Sequence, residues 1–263
     1  MGSAPQLTVI QSRDNSFVKE LRRLSQDSTA YRKQGRIWLE GDHLCRAALA
    51  RGLKPAVAVF SESFWPQAPV QWAQAASKVV VLADALFADI SGLESPARMG
   101  YLMDWDAGRQ VSAGLSTVVL DRVQDAGNVG SILRSAAAFG FTQVVALKGT
   151  AALWSQKVLR AGMGAHFGLH LVEAAAVDDV QLLQVPLIVT SSHQGDLIHE
   201  ARLPWPCAWA MGHEGQGVGP ALMEMASHHI RIAQPGGEES LNVAAAAAIC
   251  LHASSVSALV RQG

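Results

Sequence analysis

Thr117-Val118-Val119-Leu120-Asp121-Arg122-Val123-Gln124-Asp125-Ala126-Gly127-Asn128-Val129-Gly130-Ser131-Ile132-Leu133-Arg134 reads as a strand, a polar turn and the opening of a helix. The run from Thr117 to Leu120 is apolar without alternation, the pattern of a strand covered on both faces in a parallel sheet. Polar residues then break the run, and an apolar spacing resumes at Val129 and continues as a helix to Phe139. Asn128 suits the N-cap, where a side-chain oxygen accepts from a free backbone N–H. Arg134 follows less than two turns later, about 9 Å along the axis at about 1.5 Å per residue, within one long side chain's reach. A helix start with an arginine beside it can hold a phosphate. A capped helix with one surface arginine would look the same.

The same grammar recurs toward the C-terminus. Gln143 to Leu147, Pro186 to Val189, Cys207 to Met211 and His229 to Ile232 are further buried strands, and Leu241 to Leu259 is a helix. Together they predict an open, mostly parallel α/β sheet, whose ligands bind beyond the carboxyl ends of the strands. Two of those ends carry unusual loops. Ala210-Met211-Gly212-His213-Glu214-Gly215-Gln216-Gly217-Val218-Gly219-Pro220 places four glycines directly after a strand. Glycines permit positive φ and close approach of a ligand to the backbone. The turn holds neither GxGxxG nor GK[ST], so it suits a neutral or zwitterionic nucleoside better than a triphosphate. Ile230-Arg231-Ile232-Ala233-Gln234-Pro235-Gly236-Gly237-Glu238-Glu239-Ser240-Leu241-Asn242-Val243-Ala244 ends a strand in a Pro-Gly-Gly turn and opens a helix near Ser240. Ser240 and Asn242 offer polar groups at that helix start, and the alanines beyond allow another backbone to pack closely.

The residues before this half form a smaller α/β module over 1–106, joined by a polar, glycine-containing linker over 107–114; the second domain runs over 115–263. Phe17, Val18, Leu21 and Leu24 share one stripe of an amphipathic helix with basic residues opposite. Arg36 to Glu40, Ala56 to Phe60, Lys78 to Leu82 and Met99 to Trp105 read as strands, and Gly41-Asp42 opens a helix to Ala50. Charge is uneven along the chain. Gln11 to Lys54 contains ten basic and five acidic residues, although the whole chain carries a formal −1. Such asymmetry points to a basic face aimed at a polyanion, for which Arg22, Arg23, Arg32 and Arg36 are the candidates.

Composition bounds the remaining classes. With 263 residues, 49% hydrophobic and 16% charged, the chain is too apolar for a disordered protein. It is large enough to bury a core without staples. Cys45, Cys207 and Cys250 lie far apart with no CxxC pair, so neither a disulfide framework nor a zinc site is expected. His213, His228 and His229 lack the helical spacing to carboxylates that a metal site uses, and no metal is expected. No N-terminal stretch has the length and apolarity of a signal peptide. Asn242 to Val260 is interrupted by His252 and several serines and reads as a small-residue core helix, not a membrane span. The expectation is a cytoplasmic protein.

Taken together and in this order, the three loop motifs resemble the SpoU-type (TrmH-like) RNA 2′-O-ribose methyltransferases of the SPOUT superfamily. The family's N-x5-R segment corresponds to Asn128 and Arg134, its GxExxG turn to Gly212, Glu214 and Gly217, and its final motif to Ile232 and Ser240-Leu241-Asn242-Val243. The resemblance covers residues 115 to the end, and the N-terminal module more loosely resembles the family's ribosomal-protein-like substrate-binding extension. Ala126, Ala233 and Ala244 stand where the family commonly has Pro, Pro and Ser, which bears on loop shape and one polar contact.

The resemblance implies a C-terminal trefoil-knotted sheet that holds S-adenosylmethionine through Met211, Gly212, Gly217, Ile232, Gln234 and Leu241. It implies a homodimer, RNA as substrate, and Arg134, Asn128, Glu214, Ser240 and Asn242 as the catalytic set. Ribosomal RNA is the expected target; transfer RNA, or a catalytically silent RNA-binding relative, are the alternatives. A nicotinamide oxidoreductase would share the sheet, but it needs a GxGxxG turn and an acidic residue about 20 positions on, and neither is present.

Overall fold

The computed structural model describes residues 5–93, 95–191, 195–236 and 240–262. The chain folds as two compact units: residues 1–107 with 154–167, and residues 108–153 with 168–263. The sequence predicts a single boundary, near residue 106. The structure adds a second excursion, in which Trp154–Phe167 joins the first unit.

The first unit contains β1 (Gln6–Ile10), α1 (Ser16–Gln26), α2 (Ala30–Gln34), β2 (Arg36–Glu40), α3 (Asp42–Ala50), β3 (Val57–Ser61), α4 (Val70–Gln74), β4 (Lys78–Leu82), α5 (Asp84–Ile90) and β5 (Met99–Asp104). Its sheet runs β1-β4-β3-β5-β2, with β5 antiparallel to both neighbours and the other pairs parallel. Asn15 caps α1 by accepting from Phe17 N, and Val18, Leu21 and Leu24 are buried, so the apolar stripe read from the sequence is the inward face. Trp38, Phe60, Phe87 and Tyr101 form the bulk of this core. Gly100 makes room for it: a Cβ there would lie 2.1 Å from the Trp38 ring.

The second unit continues with β6 (Thr117–Leu120), α6 (Ala126–Ala138) and β7 (Gln143–Leu147). The intervening α7 (Gln156–Gly162) belongs to the first unit, where Gln156 Nε2 donates to Trp38 O at 2.7 Å. The chain then supplies β8 (His170–Ala175), β9 (Leu187–Thr190), β10 (Asp196–Leu197), β11 (Ala208–Met211), α8 (Pro220–Met225), β12 (His228–Arg231) and α9 (Val243–Gln262). The sheet order is β10-β12-β9-β11-β6-β7-β8, and every neighbouring pair is parallel. This is the mostly parallel α/β sheet the unbroken apolar runs required; Val118, Val119, Val145, Ile188 and Trp209 are fully buried.

Three local readings need correction. Helix α6 starts at Ala126, not Val129, because Asp125 is its N-cap and accepts from Asn128 N at 2.7 Å. Asn128 is therefore in the first turn, with its side chain available for other bonds. The last helix opens at Val243, and Asn242, not Ser240, receives its first free amides, from Ala244 N (2.9 Å) and Ala245 N (3.2 Å). That helix is also more than a core element. Ala247, Cys250, Leu251, Ser254 and Ala258 face inward, and Trp209 Nε1 donates to Ser254 Oγ at 2.8 Å. Only 28% of the Val243–Val260 window is buried, and by length and hydropathy alone (mean 1.9) the window could cross a membrane. Ile249, Val256, Leu259 and Val260 are exposed on the opposite face.

Candidate functional site

The carboxyl ends of β11, β9 and β12, three adjacent parallel strands, border a cleft of about 520 Å³ in the second unit. Thr190 and Ser191 come from the end of β9, residues 211–218 from the turn after β11, Ile232 and Gln234 from the loop after β12, and residues 240–243 with Ala246 from the approach to α9. Every residue expected to hold the cofactor lines this one space: Met211, Gly212, Gly217, Ile232, Gln234 and Leu241. Glu214, Ser240 and Asn242 from the expected catalytic set line it as well.

The glycine turn is folded tightly on itself. His213 N donates to Gly217 O (3.0 Å) and Gly217 N to His213 O (2.8 Å). A Cβ on Gly212 would lie 2.2 Å from both Gly217 C and Val218 N, so only glycine lets these backbones touch. His213 Nδ1 accepts from Gly215 N (3.0 Å) and Gln216 N (3.2 Å), which places the ring proton of this imidazole on Nε2. His213 is thus a structural element of the turn.

Asn128, Glu214 and Asn242 form a chain of hydrogen bonds that links the three motifs. Glu214 accepts from Asp125 N (3.0 Å), Gln124 N (3.2 Å) and Asn128 Nδ2 (3.2 Å). Asn128 Oδ1 accepts from Asn242 Nδ2 at 3.0 Å, while Asn242 Oδ1 caps α9. Desolvation pushes the Glu214 carboxyl up. The amides of Asp125, of Glu214 itself and of Gln124, with the Asn128 side chain, outweigh it and hold the pKa down to about 2. A permanent carboxylate therefore staples the glycine turn to the start of α6.

Arg134 stands apart. It is exposed on α6 and does not line the cleft. Six residues of α-helix rise about 9 Å but also rotate the side chain about 120° from Asn128. The axial rise alone overstated how close the two can come. Thr190 and Ser191 were missed by sequence reading. They carry no motif, and the only available signal is that β9 ends between the strands that bear the second and third motifs.

The cleft has features that fit a nucleoside-like cofactor. Its volume lies in the usual range for small-molecule sites. Gln234 Oε1 is buried with no hydrogen-bond partner among the described residues, an acceptor left for a ligand. Gly212 and Gly217 bring bare backbone to the wall.

The basic candidates belong to the first unit. Lys19, Arg22, Arg23, Gln26 and Asp27 line a shallow groove along α1. Arg22 is paired with Asp89, and Arg36 with Glu20 (3.5 Å) and Asp104 (3.9 Å). Arg32 Nε donates to Tyr31 Oη at 3.1 Å, with its guanidinium 5.4 Å from that ring's centroid. Among the described residues Arg23 makes no side-chain hydrogen bond or ion pair.

Comparison with known proteins agrees with this arrangement. Residues 116–252 match the SpoU rRNA Methylase family, and residues 15–99 match the MRM3-like substrate binding domain. The 23S rRNA (guanosine(2553)-2′-O)-methyltransferase RlmP of Bacillus subtilis is 29% identical over 247 residues, spanning 92% of this chain and 97% of that protein. An uncharacterized tRNA/rRNA methyltransferase of Synechocystis is 31% identical over 267 residues, covering 92% of each chain. The crystal structure of an AdoMet-bound rRNA methyltransferase from Sinorhizobium meliloti superposes with a TM-score of 0.81 at 25% identity, over 95% of this chain and 97% of that one. The parallel sheet, the cleft at its strand ends and the matched motifs lead to one assignment: the chain belongs to the SpoU rRNA methylase family.

Proposed function

We propose that the protein is an S-adenosylmethionine-dependent methyltransferase that modifies a ribose 2′-hydroxyl of RNA, with ribosomal RNA as its target. The observation that carries this reading is the single cleft in which residues 211–218, Ile232, Gln234 and residues 240–243 converge. Relatives named as rRNA 2′-O-methyltransferases and AdoMet-bound neighbours support it. The cofactor, when bound, supplies a methyl group already activated by the adjacent sulfonium.

The protein's work is then placement and proton management. Met211, Gly212, Ile232, Gln234 and Leu241 hold the cofactor, with Thr190 and Ser191 beside them. Glu214, Asn128 and Asn242 keep the three loops in register through their shared bonds. Ser240 is exposed and lines the cleft; its proposed role is contact with a substrate phosphate. A guanidinium is a permanent cation, so Arg134 acts by clamping a substrate phosphate and orienting the hydroxyl, not as a base. The backbone around the cleft is read as threaded into a trefoil knot. Two copies assemble through the apolar face of α9, and Arg134 of one serves the cleft of the other, which accounts for its distance from its own.

The test is transfer of a labelled methyl group from S-adenosylmethionine to ribosomal RNA fragments, with mapping of the labelled ribose. Arg134→Ala is expected to abolish transfer while leaving the calorimetric affinity for S-adenosylmethionine within about twofold. Equal loss of both would refute the assigned role, and absence of label on any RNA would refute the function.

A further inference from the structure

The bonds described so far hold only one side of the glycine turn, through Glu214. The other side is held by Asp121, Arg122 and Gln216, to which no role has been given so far. Asp121, at the end of β6, is 4% exposed. Its Oδ2 accepts from Gly219 N at 2.6 Å and from Arg122 Nη2 at 3.2 Å, and its Oδ1 accepts from Arg122 Nε at 2.9 Å. The remaining terminal nitrogen of Arg122, Nη1, donates to Gln216 Oε1 at 3.1 Å. Gln216 lines the cleft; Arg122 does not.

This geometry depends on an unusual backbone. Arg122 has φ 59°, a left-handed conformation that a branched or long side chain seldom adopts. Its N–H donates to Thr150 Oγ1 (3.2 Å), which in turn donates to Leu120 O (2.9 Å), fixing the bend at the end of β6. Two glycines leave space for the guanidinium and its stem. A Cβ on Gly149 would lie 3.1 Å from Arg122 Cγ, and one on Gly219 would lie 3.3 Å from Arg122 Nη2. A strained arginine packed between glycines and anchored on a buried carboxylate is a rigid arm, and its free end meets a residue on the cleft wall.

We propose that Arg122 is a positioning residue for the cofactor cleft: held by Asp121, it fixes Gln216 and the rear of the 212–219 turn, so that the wall is preformed before ligand binds. A preformed wall spares the ligand the cost of ordering the turn, and the benefit appears in affinity, not in the chemical step. Lysine could not replace the arm, because one ammonium cannot span Asp121 and Gln216 with a planar fork. The inference rests on the methyltransferase reading for its ligand, but not for the clamp itself.

Two readouts on the full chain separate these dependencies. The first is amide hydrogen exchange of residues 212–219 without ligand, in Arg122→Gly, Gln216→Ala and the double variant. Glycine suits φ 59°, so Arg122→Gly removes the arm without straining the bend. Exchange of these amides is expected to rise about tenfold in each single variant and no further in the double one, because both cut the same link. The thermal midpoint should hold in Gln216→Ala, which keeps the Asp121–Arg122 pair, and fall in Arg122→Gly, which leaves the buried Asp121 carboxylate without its guanidinium. Gln216→Glu, which keeps an acceptor oxygen, should restore protection. Unchanged exchange in Arg122→Gly, or additive effects in the double variant, would overturn the proposal.

The second readout is the calorimetric Kd of S-adenosylhomocysteine. It is expected to weaken about tenfold in Arg122→Gly, with the loss in turnover falling on KM for S-adenosylmethionine and not on kcat. A wild-type affinity in that variant overturns the positioning role. If the wild-type protein failed to bind the probe at all, the methyltransferase reading would fall, and the exchange result would still decide the clamp.

Discussion

A single methyl group on Gly212 would sit 2.2 Å from the backbone of both Gly217 and Val218, whereas one on Gly217 would meet open space and only the strain of φ 67°. The two glycines of one turn therefore differ in kind. Gly212→Ala must open the turn. It is expected to cost about 1–3 kcal/mol in urea unfolding and to abolish S-adenosylmethionine binding. Gly217→Ala should cost about 1–2 kcal/mol and leave the cleft intact; comparable losses of binding in the two variants would contradict the close-approach argument. Glu214 shows the electrostatic side of the same turn. Its carboxyl is held from an ordinary 4.5 down to about 2, with amide hydrogen bonds outweighing desolvation. A depressed folded-state pKa stabilises the native protein above the unfolded value, and that contribution fades as pH falls from about 4.5 toward 2. Glu214→Gln keeps the shape but cannot titrate, so its stability should decline less than wild type between about pH 5 and pH 3. Parallel declines in urea unfolding at those pH values would show that the Asp125, Gln124 and Asn128 bonds are not formed.

At the scale of elements, α9 carries two faces with different jobs. The inward one packs on α6 and β11. The outward one exposes Ala245, Ile249, Val256, Leu259 and Val260, with the exposed His252 among them. Ile249→Glu combined with Val256→Glu is expected to convert a dimer to a monomer in sedimentation, while changing the unfolding free energy of the monomer by less than about 0.5 kcal/mol. A wild-type monomer at micromolar concentration would remove the assembly. What the sequence disclosed, and what it did not, also sorts by element. The strands β6, β7, β9 and β11 were legible because burial on both faces leaves a nearly unbroken apolar run, whereas β12, His228-His229-Ile230-Arg231 with only Ile230 buried, showed itself mainly through the Pro-Gly-Gly turn that follows it. Edge strands β1 and β8 were not, since exposed Leu7 and Val9 in one and Glu173 in the other blur that signal. The cleft was legible through its motifs, but the helix caps slipped. Asp125 and Asn128, like Ser240 and Asn242, have interchangeable capping chemistry, and only tertiary packing decides between them. The Arg122–Gln216 bond joins residues 94 apart in sequence, and no local pattern announces it.

At the scale of the whole chain, the question is how a protein of net charge −1 attracts a polyanion. The excess positive charge between Gln11 and Lys54 answers it only where the cations are available. Arg22 and Arg36 neutralise Asp89, Glu20 and Asp104 within their own unit. Removing Arg36 strips Glu20 and Asp104 of their cation, and removing Arg22 leaves Asp89 only the longer contact to Arg13 (3.8 Å), so either loss should appear first as local destabilisation. Arg23 and Lys19 differ. Arg23 is exposed, and the Lys19–Asp14 pair lies at the surface with the carboxylate 93% exposed, readily exchanged for a phosphate. RNA should therefore be engaged along α1 chiefly through these two. Each cation withdrawn from a phosphate lowers the slope of log K against log salt by about 0.7–0.9. The double variant Lys19→Ala, Arg23→Ala is expected to bind ribosomal RNA fragments more weakly at low salt, with a slope reduced by about 1.4–1.8. Arg22→Ala should lower the slope by less than a single phosphate's share while reducing thermal stability. If filter binding across a salt series gave the larger slope change to Arg22, the ion pair with Asp89 would have to open on the RNA, and the groove along α1 would be remodelled by its partner instead of being ready for it.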